Sequence, residues 1–208
     1  MEKLLESFKT LVYLGTQVSF FIEVHNTYTQ NEEFLNQIEF QGHYSNLPFA
    51  KSISGTFLNY ALIISNSFFD EYNKEFTSSK HPDFKVRIDK LKAITKPVMR
   101  RVNKWTNFKD YRNYILAHNF RIKDVSIFSK DFKPFHFNSP HTNTEIILLN
   151  QLMRIITTCI SKEFPELVEQ INWKENALSK MTFNYNEVDI DKELTEIWTQ
   201  IETVKKQL

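Results

Sequence analysis

Apolar residues recur at steps of three and four along most of this chain, the period of an amphipathic α-helix. Leu4, Leu5, Phe8, Leu11, Val12, Val18, Phe21 and Val24 predict a first helix over residues 2–27, with Gly15 a local weakness. A short helix is expected over 32–40, followed by the turn-forming stretch QGHYSNLP, which puts His43 in a surface loop. The most apolar element is a long helix over 49–76 carrying Phe57, Leu58, Tyr60, Ala61, Ile64, Phe68, Phe69, Tyr72 and Phe76. After TSSKHPDF, in which Ser79 or a neighbour is the expected cap, a third helix runs through Phe84, Ile88, Leu91 and Ile94. Pro97 disfavours the α conformation at Lys96, so a kink or short break is expected before residues 98–105.

Residues 105–121, WTNFKDYRNYILAHNFR, read as the next helix, capped by Thr106 or Asn107. Phe108, Tyr111, Ile115, His118 and Ile122 fall on one stripe of it. Residues 124–141 mix aromatic, basic and turn-forming types without a helical period, and a loop of that length beside a polar cluster suits a cover for a cleft. Thr142 or Asn143 then starts a helix with Ile146, Leu149, Leu152, Met153, Ile156 and Ile160 facing the core. Pro165 opens a separate helix. An acidic amphipathic helix over 189–206, with Leu194, Ile197, Trp198, Ile201 and Val204, ends the chain and suits packing on the bundle or on a partner. The fold expected is all-α: an up-and-down helical bundle of a single domain over 1–208, its core at about 49–160, with a C-terminal helical extension at about 165–208.

Composition sharpens this picture. Three glycines and six prolines in 208 residues are too few for a β-rich fold with many tight turns, and 19 phenylalanines supply much of a core. The single cysteine, Cys159, rules out a disulfide framework and a multi-cysteine zinc site, and its natural setting is a reducing cytoplasm. Glu2 and Glu6 stand where a signal peptide would be basic, and no apolar run approaches the roughly 18 residues that span a bilayer. A soluble, unexported, cytoplasmic protein without a membrane partner is expected. His136 and His141 are five residues apart, which does not put two metal ligands on one helix face, so neither a metal nor another cofactor is expected.

The net charge is only +1, but between Lys80 and Lys123 there are 13 Lys or Arg against Asp83, Asp89 and Asp110. A concentration of this kind is the footprint of a phosphate-bearing partner. It contains Arg112, Asn113 and His118, a polar group that interrupts an otherwise apolar stripe. On one continuous helix, Arg112 and His118 would stand about 9 Å apart along the axis and about 120° apart around it. Two copies related by a two-fold axis would bring an Arg and a His from each chain into one cleft, so a complete site calls for a homodimer through this helix. Asp70 and Glu71, which follow Phe68 and Phe69, are candidates for an acid that points back at the arginine.

The stretch FKDYRNYILAHNFR resembles the signature of HEPN domains (higher eukaryotes and prokaryotes nucleotide-binding): an Arg, a polar residue and, after four to six positions, a His. Here these are Arg112, Asn113 and His118, with Ala117 before the histidine and an apolar segment between. The order of an apolar helix ending in SFFDEY, a basic helix with Pro97, the motif, a loop and an apolar helix is similar to the bacterial abortive-infection and toxin branch. The likeness covers about 49–160 as an architecture and about 15 residues as a motif.

The resemblance implies a bundle that dimerises through the motif helices and, in active members, a metal-independent endoribonuclease. In that reading His118, with an unperturbed pKa of about 6.5, moves the proton. Arg112 clamps the phosphate and stabilises the charge of the transition state, and Asn113 orients the arginine or the RNA backbone. Arg121, three residues beyond His118, and Lys109 bind flanking phosphates. The expected partners are RNA, a second copy of the chain and, for a toxin, an antitoxin or other protein. The competing class is a non-catalytic helical module of the same fold that binds a nucleotide, RNA or a protein partner.

Overall fold

The computed structural model describes residues 1–30, 39–41, 46–113, 121–122, 125–126, 129–130, 133, 136–171 and 189–205. The chain is all-helical in class, and it divides into two compact units, residues 1–171 and 172–208. In the first, α1 (Glu2–Gln30), α2 (Phe49–Asp70), α3 (Lys85–Val102) and α5 (Asn143–Glu163) form a bundle in which α5 packs on each of the other three. Between α3 and α5 lies α4 (Phe108–Tyr111), and α6 (Pro165–Glu169) follows α5. Leu167 is fully buried in the same core, so this short helix completes the bundle, and the boundary falls after Ile171 rather than at 165. The second unit contains α7 (Ile190–Lys205), opened by Asp189, whose carboxylate accepts the Lys192 amide at 3.0 Å. Its Leu194, Ile197 and Trp198 stand exposed. No helix among the described residues is long and apolar enough to cross a membrane.

The stripes read from the sequence fill the core. Leu4, Phe8, Leu11 and Val18 of α1 are fully buried, and so are Ile146, Leu149, Met153, Ile156 and Ile160 of α5, with Leu152 nearly so. Thr142 is the cap of α5, forming a capping box with Glu145. In α3 the buried series is Ile88, Leu91, Thr95, Val98 and Val102, at alternating steps of three and four. Ile94, expected inside, is half exposed, because Thr95 occupies the inward position one residue later. Its hydroxyl is satisfied there, donating to the Leu91 carbonyl at 2.9 Å and meeting the Tyr72 hydroxyl at 2.6 Å.

Three other expectations are corrected. Pro97 does not break α3, which runs through it; Pro97 and Ala93, whose carbonyl the proline leaves without a helical donor, both face solvent, where water can serve that carbonyl. The short helix expected over 32–40 fails at its end: Glu39–Gln41 is a strand, paired antiparallel with Asn46–Pro48 so that Phe40 opposes Leu47. Residues 31–38, and His43 with the rest of 42–45, lie outside the described residues. The helix expected through Arg121 is also shorter, because Arg121–Ile122 pairs as a strand with Val125–Ser126. Ile122 opposes Val125 across the two intervening residues, and two β-branched residues flanking so short a connection favour a hairpin over a helix.

Past Asp70 the second helix widens into a π-turn, Glu71–Glu75, closed by the Phe76 amide on the Glu71 carbonyl at 3.0 Å. The Tyr72 carbonyl accepts a hydrogen bond from Lys92, whose ammonium also lies 3.2 Å from the Tyr72 ring centroid. Burial pushes Lys92 down to about 7 from its ordinary 10.5. Below pH 7 both folded and unfolded chains hold this proton. Between 7 and 10.5 only the unfolded chain does, so the contribution of Lys92 to stability rises with pH across that window. Each pKa unit corresponds to about 1.4 kcal/mol. With allowance for incomplete enclosure, the parent is expected to gain about 3 kcal/mol relative to Lys92→Met between pH 6.5 and 9.5. Urea unfolding of both proteins at the two pH values measures this, and parallel pH profiles would contradict it.

Candidate functional site

Asp70 ends α2 and Arg112 follows α4, so the first turn of the motif segment meets the end of the most apolar helix. Phe108, at the start of α4, is buried against Phe69 and Trp105, their ring centroids both 6.4 Å away. The buried Asn66 of α2 donates to the Leu62 carbonyl at 3.1 Å and reaches the Phe108 carbonyl at 3.5 Å, tying the two helices together. On the other side, the Asn107 amide donates to the Asn138 carbonyl at 3.0 Å, and Asn138 returns its own amide to the Asn107 side chain at 3.2 Å and its Nδ2 to the Lys104 carbonyl at 2.8 Å. Phe137 packs edge-on against Tyr111, with centroids 5.2 Å apart. The end of the long loop is thus clamped to the start of the motif segment.

This scaffold fixes Arg112. Its Nε donates to the Asn113 side-chain oxygen at 3.0 Å, and its Nη1 lies 3.5 Å from Asp70 Oδ2. Nη2 makes no hydrogen bond among the described residues, and 21% of the side chain is exposed. The other Asp70 oxygen is 3.1 Å from Lys74, so two cations share the carboxylate. Asp70 therefore positions Arg112 without enclosing it. Glu71 does not share this role. Its side chain accepts from Ser7 of α1 at 2.5 Å, about a quarter-turn round the helix from Asp70.

Beside the pair opens a cleft of about 390 Å³. Phe69, Val102, Trp105 and Phe108 form its apolar floor, and Asp70, Asn73, Asn103, Thr106 and Lys109 its polar rim. Lys109, expected at a flanking phosphate, is exposed on this rim. Arg121 sits on a strand, so the three-residue helical offset from His118 does not apply to it. His118, Ala117 and Ile115 lie outside the described residues.

Asn73 and Asn103 were not singled out by sequence reasoning, and nothing in the pattern marks an amide at a solvent-facing helix position as part of a rim. Trp105 had a readable signal: a tryptophan just after a basic helix needs a partner for its N–H, and Glu145 accepts it at 3.2 Å. His136 and His141, the two histidines of the loop, are both exposed; His141 lies 3.4 Å from Glu145. No family model, no curated protein and no solved structure matches the chain.

Proposed function

We propose that this chain is a metal-independent endoribonuclease of HEPN type, a toxin or phage-defence component of the cytoplasm, acting as a homodimer with a composite Arg/His site. One observation carries the reading: the motif arginine is held by Asn113 and Asp70 on two of its nitrogens, Nη2 makes no hydrogen bond among the described residues, and Asp70 itself lines a polar-rimmed cleft. A guanidinium fixed in this way is prepared for a phosphodiester, since its planar fork matches two phosphate oxygens and little ordering remains to be done on binding.

In the reaction, Arg112 holds the scissile phosphate and offsets the charge that develops on its oxygens. The 2′-oxygen attacks phosphorus as its proton is removed, and the bond to the 5′-oxygen breaks as that oxygen is protonated. The products are a 2′,3′-cyclic phosphate and a 5′-hydroxyl. His118 performs the proton transfer, an assignment that rests on the motif and on imidazole chemistry near neutral pH. Lys109 contacts a neighbouring phosphate from the rim.

The test is cleavage of a mixed RNA substrate in EDTA by the purified protein and by His118→Ala, with molar mass measured by light scattering. Cleavage by a dimeric parent, cyclic phosphate ends, and a loss of at least about 100-fold in the folded variant are expected. Equal activity in both proteins, or none in either, overturns the catalytic reading in favour of a binding module.

A further inference from the structure

The cations of α3 and of the turn after it fall into two groups that the sequence does not separate. Toward its N-terminus each is neutralised or enclosed: Lys85 pairs with Asp89 at 2.6 Å, Arg87 with Glu166 at 2.6 Å and Lys90 with Glu163 at 2.8 Å, while Lys92 lies over Tyr72. Toward its C-terminus the pairing stops. Lys96, Arg100 and Lys104 are exposed and have no ion pair among the described residues, and the same is true of Lys109 on the cleft rim. Arg101 stacks over Trp105 at 4.0 Å instead of meeting a carboxylate.

Lys96 and Arg100 are four residues apart on α3, about 6 Å along its axis, and Lys104 lies in the turn just past its end, where its amide donates to the Arg101 carbonyl at 3.2 Å. Met99 and Val102 of the same helix, and Asn103 at its cap, line the cleft. These cations are thus interleaved in sequence with cleft-lining residues, and the chain continues into Thr106 and Lys109 of the rim. The helix macrodipole favours cations in the last turn, but it does not extend to Lys96, two turns earlier. It also does not explain why the acidic partners are confined to the other half.

We propose that Lys96, Arg100, Lys104 and Lys109 form a track for the backbone of single-stranded RNA, which delivers the strand to the cleft beside Arg112. The inference rests on the ribonuclease reading for the purpose of the track, though not for binding itself. A single strand fits because the cations follow one another closely along the chain, and an open cleft with aromatic floor and amide rim accepts an unstacked base, which a duplex does not offer.

The experiment measures binding of a labelled 12-nucleotide single-stranded RNA by fluorescence anisotropy across a salt series. It uses the full chain carrying His118→Ala so that the probe stays intact. Lys96→Gln/Arg100→Gln/Lys104→Gln is compared with Lys80→Gln/Lys85→Gln/Lys90→Gln, which removes the same charge from paired positions, Lys80 lying before α3 and pairing with Glu75 at 3.4 Å. The track variant is expected to bind at least 10-fold more weakly at 150 mM salt, with a slope of log affinity against log salt smaller by about 2, from roughly 0.7 per phosphate contact. The control variant is expected to stay within about 3-fold of the background protein.

Equal weakening by both triples would mean diffuse attraction and overturns the track. So does parent-like binding by the track variant, or equal competition by a duplex of the same length. Cleavage by the otherwise unaltered chain is followed in parallel. A protein that binds along the track but never cuts defeats the catalytic reading alone; one that cuts with the track removed and its affinity unchanged defeats the track alone.

Discussion

Replacing Arg112 with alanine is expected to lower the single-turnover rate of RNA cleavage by about 10²- to 10³-fold, the range found when one preorganised charge-stabilising donor is removed. The fold should survive, because the side chain lies outside the apolar core and a fifth of it is exposed. Arg112→Lys is expected to recover little. A point ammonium does not reproduce two bonds to fixed partners with a third donor left over. Asp70→Asn separates holding from acting: it keeps the arginine but removes the charge that orients it, and a loss of about 10-fold in kcat with KM nearly unchanged is expected. Rates measured at saturating RNA, with circular dichroism of each variant, check these outcomes. An Arg112→Ala protein that cuts within about 3-fold of the parent would remove Arg112 from the site.

Phe164→Ala is expected to reduce the free energy of unfolding by about 3–5 kcal/mol, the usual cost of a large buried aromatic. The ring is fully buried between α5 and α6, edge-on to Phe76 at 6.1 Å and Phe84 at 6.2 Å. The guanidinium of Arg87 lies 4.0 Å from its centroid and pairs from there with Glu166 through two nitrogens, at 2.6 and 3.2 Å. That bond from Arg87 holds the Glu166 carboxyl below its ordinary range. Truncation therefore leaves a cavity and also takes away the surface on which Arg87 rests. Phe164→Leu keeps most of the volume and should cost less than about 2 kcal/mol. Urea unfolding of the three proteins gives the comparison, and a change below 1 kcal/mol for alanine would contradict the packing described.

The bundle was legible because each long helix repeats its apolar residues at the helical period, and one face of each must find a core. Ile146 to Ile160 sit inside as their spacing requires. The failures have local causes. Ile94 lost its inward place to Thr95 because a hydroxyl with two partners can be buried at little cost, and a pattern of apolar letters cannot register that. Pro97 was tolerated because its turn faces water. The motif segment was over-extended because helical spacing continues by chance into Ile122, where pairing with Val125 takes over.

At the site, the composition of SFFDEY suggested an acid for Arg112, and Asp70 meets it. Its neighbour Glu71 was an equally good candidate by sequence. Adjacent residues of a helix point about 100° apart, and it is Asp70 that meets Arg112 while Glu71 meets Ser7 of α1.

The uneven pairing along α3 also bears on how a partner is met. The chain as a whole carries a net charge of +1, so its field at long range is close to that of a neutral body, and ions quench what remains beyond about 8 Å at physiological salt. The cations that have no ion pair among the described residues act within that distance. An anionic strand would feel little pull until it nearly touches the surface, and would then be turned by it. Selection among strands falls to how long each remains in place rather than to how often it arrives, which suits a surface that must pass its ligand on to a cleft.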